Sequence, residues 1–255
     1  MVTVVTICSA NFLAQAKTLG DSLLEHNPGY RFVIGLVDRI PLSLSPEYWK
    51  PYELIPVEEL GIPEFGEMVR RYNIVELNTA VKPFYIEELY RRDQSTDQVI
   101  YLDPDILVVG RLEQVESALS KSSIVLTPHS CTYDNSPENI FYETCMLQTG
   151  VFNLGFLGTK RGEITLTFLK WWQRRLLEYC LYWVGRGLFV DQHWVNLAPV
   201  YFQDVHIEKD PGLNMCYWNL FERSLTTRAG RYWVNESHPL VFYHFSSFDP
   251  NRPDY

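Results

Sequence analysis

Asp103 and Asp105 stand one residue apart, where a compact apolar run, Val99-Ile100-Tyr101-Leu102, comes to its end. If that run is a buried β-strand, both carboxylates emerge from its carboxyl end, which is where open α/β sheets place their ligand crevice. Two hard oxygen donors at this spacing suit Mn²⁺ or Mg²⁺, ions that accept a few carboxylates and keep other positions for water or substrate phosphates. The Asp-Pro-Asp triplet is also good turn chemistry, and a bare D-x-D arises by chance in chains of this length. The apolar runs on both sides, including Ile106 to Val109, favour a strand-end site over a surface turn.

The elements that must position this pair are visible along the chain. Val2 to Ile7 reads as a buried strand, and Ser9 or Asn11 can cap the following helix, whose apolar residues Leu13, Ala16, Leu19 and Leu23 recur at helical spacing until Asn27-Pro28-Gly29. Arg31 to Val37 is a second strand ending at Asp38, and a strand-helix-strand order favours a parallel crossover. A loop-rich stretch from Pro41 to Pro63 leads to two helices, Glu64 to Asn78 and Thr79 to Arg92, with a capping-like Asn-Thr between them and Pro83 in the first turn of the second. Beyond the D-x-D, Ser123 to Thr127 is a strand, Pro128 to Tyr142 a polar loop, and Val151 to Gly158 a strand carrying Asn153 and Gly155. Glu163 to Val184 is a long helix, Asp191-Gln192 opens another that reaches Leu197, and a last strand from Leu240 to Phe245 carries His244. The expected fold class is α/β, a mixed and mainly parallel sheet flanked by helices. The turn from Thr6 to Asn11 lies at the carboxyl edge of strand one, so Thr6, Ser9 and Asn11, with Asp38 at the end of strand two, are candidates for a nucleoside base or ribose.

Composition narrows the partners. The chain has 255 residues, 46% of them hydrophobic, enough for one substantial core. A net charge of −9 repels nucleic acid and requires any anionic substrate to be met by a metal ion or a few placed cations. The five cysteines are scattered without C-x-x-C spacing, which suggests neither disulfides nor zinc and fits a cytoplasmic setting. The N-terminus has no basic leader region, and no apolar run approaches the ~18 residues of a membrane span. Arg174 and Arg175 beside Trp171 and Trp172 leave peripheral membrane contact as an alternative to an aromatic-rich core helix. The turn after strand one lacks G-x-G-x-x-G, against a dinucleotide-binding dehydrogenase.

The segment Tyr101-Leu-Asp-Pro-Asp-Ile-Leu-Val108 resembles the D-x-D region of GT-A nucleotide-sugar glycosyltransferases, in particular glycosyltransferase family 8, the glycogenin and bacterial lipopolysaccharide-glycosyltransferase group. Further matches follow in family order across nearly the whole chain: Lys82 ahead of the D-x-D strand, Phe152-Asn153-Leu154-Gly155, the pair Asp191-Gln192, and His244. The resemblance implies a Rossmann-like GT-A domain over residues 1–255, with a nucleotide-binding half (1–110) and a sugar and acceptor half (111–255). It implies that His244 joins Asp103 and Asp105 as a metal ligand and that Lys82 faces the phosphate or donor sugar. Asn153 and Gly155 then contact the sugar, and Asp191 and Gln192 form the catalytic pair. Each has a plainer reading: a core histidine, a solvated lysine, a strand bulge, a helix cap. The chain departs from family 8 at Ser9, where an aspartate is common. It also lacks the lysine of a G-x-x-K-P-like tail between Ser246 and Pro253, which leaves Arg252 as a substitute phosphate contact.

The expected activity is metal-dependent transfer of a sugar from a nucleotide-diphosphate sugar, foremost a UDP-sugar, to the hydroxyl of a glycan, lipid-linked or protein acceptor, with retention. One alternative is a haloacid-dehalogenase-like phosphotransferase, with Asp103 as nucleophile and Asp105 as acid/base. Another is a non-catalytic saccharide-binding protein that uses its 7 Trp and 16 Tyr as flat apolar faces.

Overall fold

Near-continuous runs of β-branched and apolar residues make strands that must be covered on both faces. The computed structural model describes residues 1–40 and 44–249 and contains such strands at its centre. β1 (Val2–Cys8) leads through a short 3₁₀ turn, Ala10–Phe12, into α1 (Leu13–His26), then β2 (Arg31–Leu36) and β3 (Glu53–Pro56). Three helices follow, α2 (Phe65–Arg71), α3 (Ile74–Ala80) and α4 (Lys82–Arg92), before β4 (Gln98–Leu102) and β5 (Ile106–Val108). Next come α5 (Glu113–Lys121), β6 (Ile124–Leu126), α6 (Pro137–Thr149), β7 (Phe156–Lys160) and α7 (Glu163–Tyr179). The two-residue strands β8 (Tyr182–Trp183) and β9 (Leu188–Phe189) precede α8 (Gln192–Val195), α9 (Ala198–Tyr201) and β10 (Val205–Ile207). A meander of β11 (Leu225–Arg228), β12 (Arg231–Val234) and β13 (His238–Pro239) leads to β14 (Phe242–His244).

The main sheet has seven strands in the order β10-β6-β7-β4-β1-β2-β3. β7 runs antiparallel to both its neighbours and the other pairings are parallel, so the sheet is mixed and mainly parallel. Alternation along each strand divides the core in two. Val5, Ile7, Val99 and Tyr101 face α3, α4 and α7, while Val4, Cys8, Ile100 and Leu102 face α1 and α5. Because β2 lies on one side of β1 and β4 on the other, strand order reverses at β1, and the crevice between the carboxyl ends of β1 and β4 is the switch point where such sheets bind ligands.

Several expected boundaries shift, each for a local reason. The stretch before β4 breaks twice, at Val81, close after the expected Asn78-Thr79 pair, and at Asn73, whose Oδ1 accepts from the N–H groups of Val75 and Glu76 while the Glu76 carboxylate accepts from the Asn73 N–H. Neither Ser9 nor Asn11 caps α1; the Ser9 hydroxyl donates to Asn11 Oδ1 at 2.7 Å instead. The loop expected from Pro128 turns helical at Pro137, where Ser136 supplies an N-cap. Asn153 and Gly155 precede β7 and do not lie within it. In α7, Trp172 is fully buried, Arg174 pairs with Glu178, and Arg175 stacks on Trp171 at 4.6 Å, an arrangement that serves the core more than a membrane face. Among the described residues no helix is long and apolar enough to cross a membrane.

Candidate functional site

β4 ends at Leu102, and the Asp103-Pro104-Asp105 turn is fixed on both sides. The Asp103 N–H donates to Gly155 O at 2.8 Å, and the Ile106 N–H returns to Asp103 O at 3.1 Å. β5 then pairs antiparallel with β14 in a register that sets His244 opposite Ile106, and the Phe245 N–H donates to Asp105 O at 2.8 Å. This pairing delivers a distant histidine to the D-x-D. His244 Nε2 lies 3.2 Å from Asp105 Oδ1 and 3.8 Å from Asp103 Oδ2, and one ligand atom from each of the three residues falls within 4.8 Å of the others. Two partly exposed carboxylates and one buried imidazole nitrogen form an N,O donor set of the kind that accommodates Mn²⁺ or Mg²⁺, with the exposed side left for water or phosphate. Burial pulls the Asp105 carboxyl up, but the hydrogen bond and charge of His244, a backbone hydrogen bond and the Lys82 charge together hold Asp105 below the ordinary aspartate value.

Behind the triad sits a buried cation. Lys82 opens α4 with Pro83 beside it, and its side chain is 3% exposed. Its Nζ donates to Leu154 O at 2.9 Å, lies 3.0 Å from Asp191 Oδ2 and 3.6 Å from Asp103 Oδ1, and rests over the Tyr101 ring at 4.4 Å. Burial alone would lower its pKa, yet the carboxylates of Asp103 and Asp191 more than reverse that and leave it raised. Asp191 is pushed up to about 6, chiefly by burial, with Lys82 opposing and Asp103 adding to the rise. The Tyr101 hydroxyl donates to Asp103 Oδ1, so one carboxylate of the triad is tied to both the lysine and the strand.

No protein-family model matches the chain. It is 25% identical over 246 residues to YfnD, an uncharacterised protein of Bacillus subtilis (strain 168), which covers 95% of this chain and 76% of YfnD. Among solved structures, the galactosyltransferase LgtC in complex with donor and acceptor sugar analogues matches with a TM-score of 0.54 at 18% identity, over 96% of this chain and 87% of LgtC. A glycosyltransferase involved in glycosylation of the major capsid of PBCV-1 gives 0.54 at 11% identity, over 99% and 97% of the two chains. The fold is GT-A. At these identities the likeness concerns the path of the backbone, and activity must be argued from the site.

Within this GT-A sheet the antiparallel run of β7 explains where Asn153 and Gly155 lie. Because β7 opposes β4, its start meets the end of β4, beside the D-x-D. Asn153 Oδ1 accepts from the Gly155 N–H at 3.1 Å, and a Cβ on Gly155 would fall 2.3 Å from His244 Cε1. Asp191 precedes α8 but makes no side-chain cap there; its carboxylate turns to Lys82. The Gln192 amide bridges two backbones, accepting from the Leu154 N–H at 3.1 Å and donating to Thr149 O at 3.0 Å.

The residues at the end of β1 are placed less uniformly. Thr6 is fully buried and its Oγ1 has no hydrogen-bond partner among the described residues. Ser9 is buried, Asn11 is exposed, and Asp38 Oδ1 accepts from the Ala10 N–H at 2.8 Å, so that carboxylate shapes the turn. Arg252 lies outside the described residues. Several neighbours of the site had no motif to mark them. A cavity of about 570 Å³ opens next to Asp105 and is lined by Phe12, Pro104, Ile106, Phe245 and Phe248. Trp218 packs edge-on between His129 and His244, 5.3 Å from each ring. Asn214 bonds His244 Nδ1 at 3.1 Å.

Proposed function

We propose that the protein is a metal-dependent glycosyltransferase of the family 8 type. It moves a sugar from a nucleotide-diphosphate sugar, foremost a UDP-sugar, to the hydroxyl of a glycan, lipid-linked or protein acceptor, with retention of configuration. The observation that carries this reading is the convergence of Asp103, Asp105 and His244 at the switch point of a GT-A sheet. Residues 1–110 supply the nucleotide side, and 111–255 supply most contacts to sugar and acceptor.

In this reading Asp103, Asp105 and His244 hold Mn²⁺ or Mg²⁺, which supplies charge neutralisation for the diphosphate leaving group. The cavity beside Asp105 offers the faces of Phe12, Phe245 and Phe248, which suit a flat nucleobase. Asn11, exposed and next in sequence to the cavity-lining Phe12, can hydrogen-bond base or ribose. Lys82 offsets the negative charge of Asp103 and Asp191. Asn153 contacts the sugar, whereas the missing Cβ of Gly155 makes room for the His244 ring and leaves no open face for a sugar there. Gln192 holds the Leu154 and Thr149 backbones in register beneath it. Asp191 is 1% exposed and paired with Lys82, which makes it a poor candidate for the exposed base that inversion requires and favours retention, in which a donor phosphate oxygen takes the acceptor proton.

The test is a thermal-shift series with UDP, GDP and ADP, each with and without Mn²⁺, on the wild type and on the Asp103→Asn/Asp105→Asn variant. A nucleoside diphosphate at one hundred times its dissociation constant stabilises the folded state by about 3 kcal/mol. A Mn²⁺-dependent shift with UDP that disappears in the variant is expected. Equal shifts in both proteins, or none with any nucleotide, would defeat the proposal.

A further inference from the structure

The polar groups around His244 form a chain whose direction can be derived without ambiguity. A backbone N–H can only donate, and the Gly155 N–H donates to Asn153 Oδ1 at 3.1 Å. That sets the Asn153 amide, so its Nδ2 is the group 3.3 Å from His129 Nε2, which must accept. Asn214 Nδ2 supplies a second donor to Asn153 Oδ1 at 3.0 Å, and a bond to Thr127 Oγ1 at 3.0 Å occupies its other hydrogen. Asn214 Oδ1 is then left to accept from His244 Nδ1 at 3.1 Å. His244 therefore carries a proton on Nδ1, and its other ring nitrogen, Nε2, faces the two aspartates, 3.2 Å from Asp105 Oδ1, a carboxylate that takes a proton from Nε2 when no cation stands between them.

The backbone is arranged to hold this order. Asn214 has φ of 56°, a left-handed conformation that asparagine tolerates and most residues do not. The His244 N–H bonds the next carbonyl, Met215 O, at 2.9 Å, which keeps the Asn214 segment alongside β14. Asn219, fully buried, donates to Asn214 O at 3.0 Å and to His129 O at 3.1 Å, so one side chain ties the Asn214 and His129 segments together.

We infer that Asn214, supported by Asn153 and His129, is a positioning residue that holds a proton of His244 on Nδ1 and so turns its Nε2 toward the two aspartates. The inference deepens the proposed metal-dependent activity and rests on it for its purpose, but the tautomer is measurable without metal. Histidine ¹⁵N-labelled, EDTA-treated protein at pH 8 gives long-range proton–nitrogen correlations that distinguish the two tautomers for each of the six histidines, with His244 assigned from a His244→Gln spectrum.

Wild-type His244 is expected to show the proton on Nδ1. Asn214→Gly, which suits the left-handed backbone and removes the acceptor, is expected to lose that preference and to bind Mn²⁺ 10- to 100-fold more weakly, the range typical when a ligand's outer partner is removed. Asn214→Asp keeps an acceptor for Nδ1 while giving up the bonds to Thr127 and Asn153, and is expected to retain the Nδ1 proton. A wild-type Nδ1 without a proton overturns the inference, as does a folded Asn214→Gly protein that keeps its Nδ1 proton as the wild type does. Should Asn214→Gly not fold, the wild-type and Asn214→Asp spectra decide, since loss of the Nδ1 proton in Asn214→Asp also overturns it. A wild type with the expected tautomer that binds no Mn²⁺ supports the chain and counts against the metal-dependent reading.

Discussion

Gly155→Ala separates the geometry of the metal site from its chemistry, because it leaves Asp103, Asp105 and His244 in place. The added Cβ would lie 2.3 Å from His244 Cε1 and 2.8 Å from both His244 Nδ1 and Asn153 Oδ1. Carbon atoms in contact settle at about 3.5–4.0 Å, so the imidazole must retreat by roughly 1.2 Å or rotate away. Metal sites tolerate ligand displacements of only about 0.2 Å. The 3.1 Å bond from His244 Nδ1 to Asn214 is broken by the same movement. Loss of the imidazole from the donor set is expected to weaken Mn²⁺ binding at least ~100-fold, about 3 kcal/mol. Titration calorimetry and the electron-paramagnetic-resonance signal of free Mn²⁺ both read this directly, with circular dichroism as the check on folding. Gly162→Ala, whose Cβ meets nothing within 4 Å, serves as the control and should bind as wild type. A folded Gly155→Ala protein with wild-type Mn²⁺ affinity would refute the argument, for it would mean that His244 is not a ligand in the place described.

Lys82→Met leaves Asp191 as an unpaired buried carboxylate, so a stability loss of roughly 3–5 kcal/mol in urea unfolding is expected; the Lys82→Met/Asp191→Asn double variant should recover most of it, and strict additivity would contradict the pairing. Asp191, raised from 3.8 to about 6, binds its proton more tightly when folded, so its contribution is full below pH ~4 and is lost as pH rises through about 6. His129, lowered by burial from 6.5 to about 4, acts in the opposite sense: its contribution is present above pH ~6.5 and is lost as pH falls toward 4. In EDTA-treated Asp191→Asn protein only the second effect of the two remains, so unfolding midpoints should climb more steeply with pH across this window than in wild type, and parallel curves would rule the assignment out. Asn73→Ala removes both bonds of the cap between α2 and α3 and should lower stability by about 1 kcal/mol in chemical denaturation.

Much of the sheet was legible in local pattern. The runs at Val2–Cys8, Arg31–Leu36 and Gln98–Leu102 are apolar because both their faces are buried, and burial on both faces is what a parallel central strand demands. Boundaries set by capping were harder to read: the break at Asn73 depends on Glu76 reaching back, and the Ser136 cap hides a helix inside a polar stretch. Lys82 looked like any helix lysine, since nothing near it in sequence announces that Asp191 and Asp103 will close around its ammonium.

By itself the sequence determined that two carboxylates leave the carboxyl end of a buried strand, and that strands and helices alternate in the order an α/β sheet requires. Only the tertiary structure decided what meets those carboxylates. His244 reaches them through the β5–β14 register, Asn153 and Gly155 through the reversed direction of β7, and the aromatic cavity through Phe12 and Phe245 from opposite ends of the chain. The physical reason is that hydrophobic periodicity reports which face of an element is buried. It carries no information about which distant element covers that face, which strand pairing and core packing settle together.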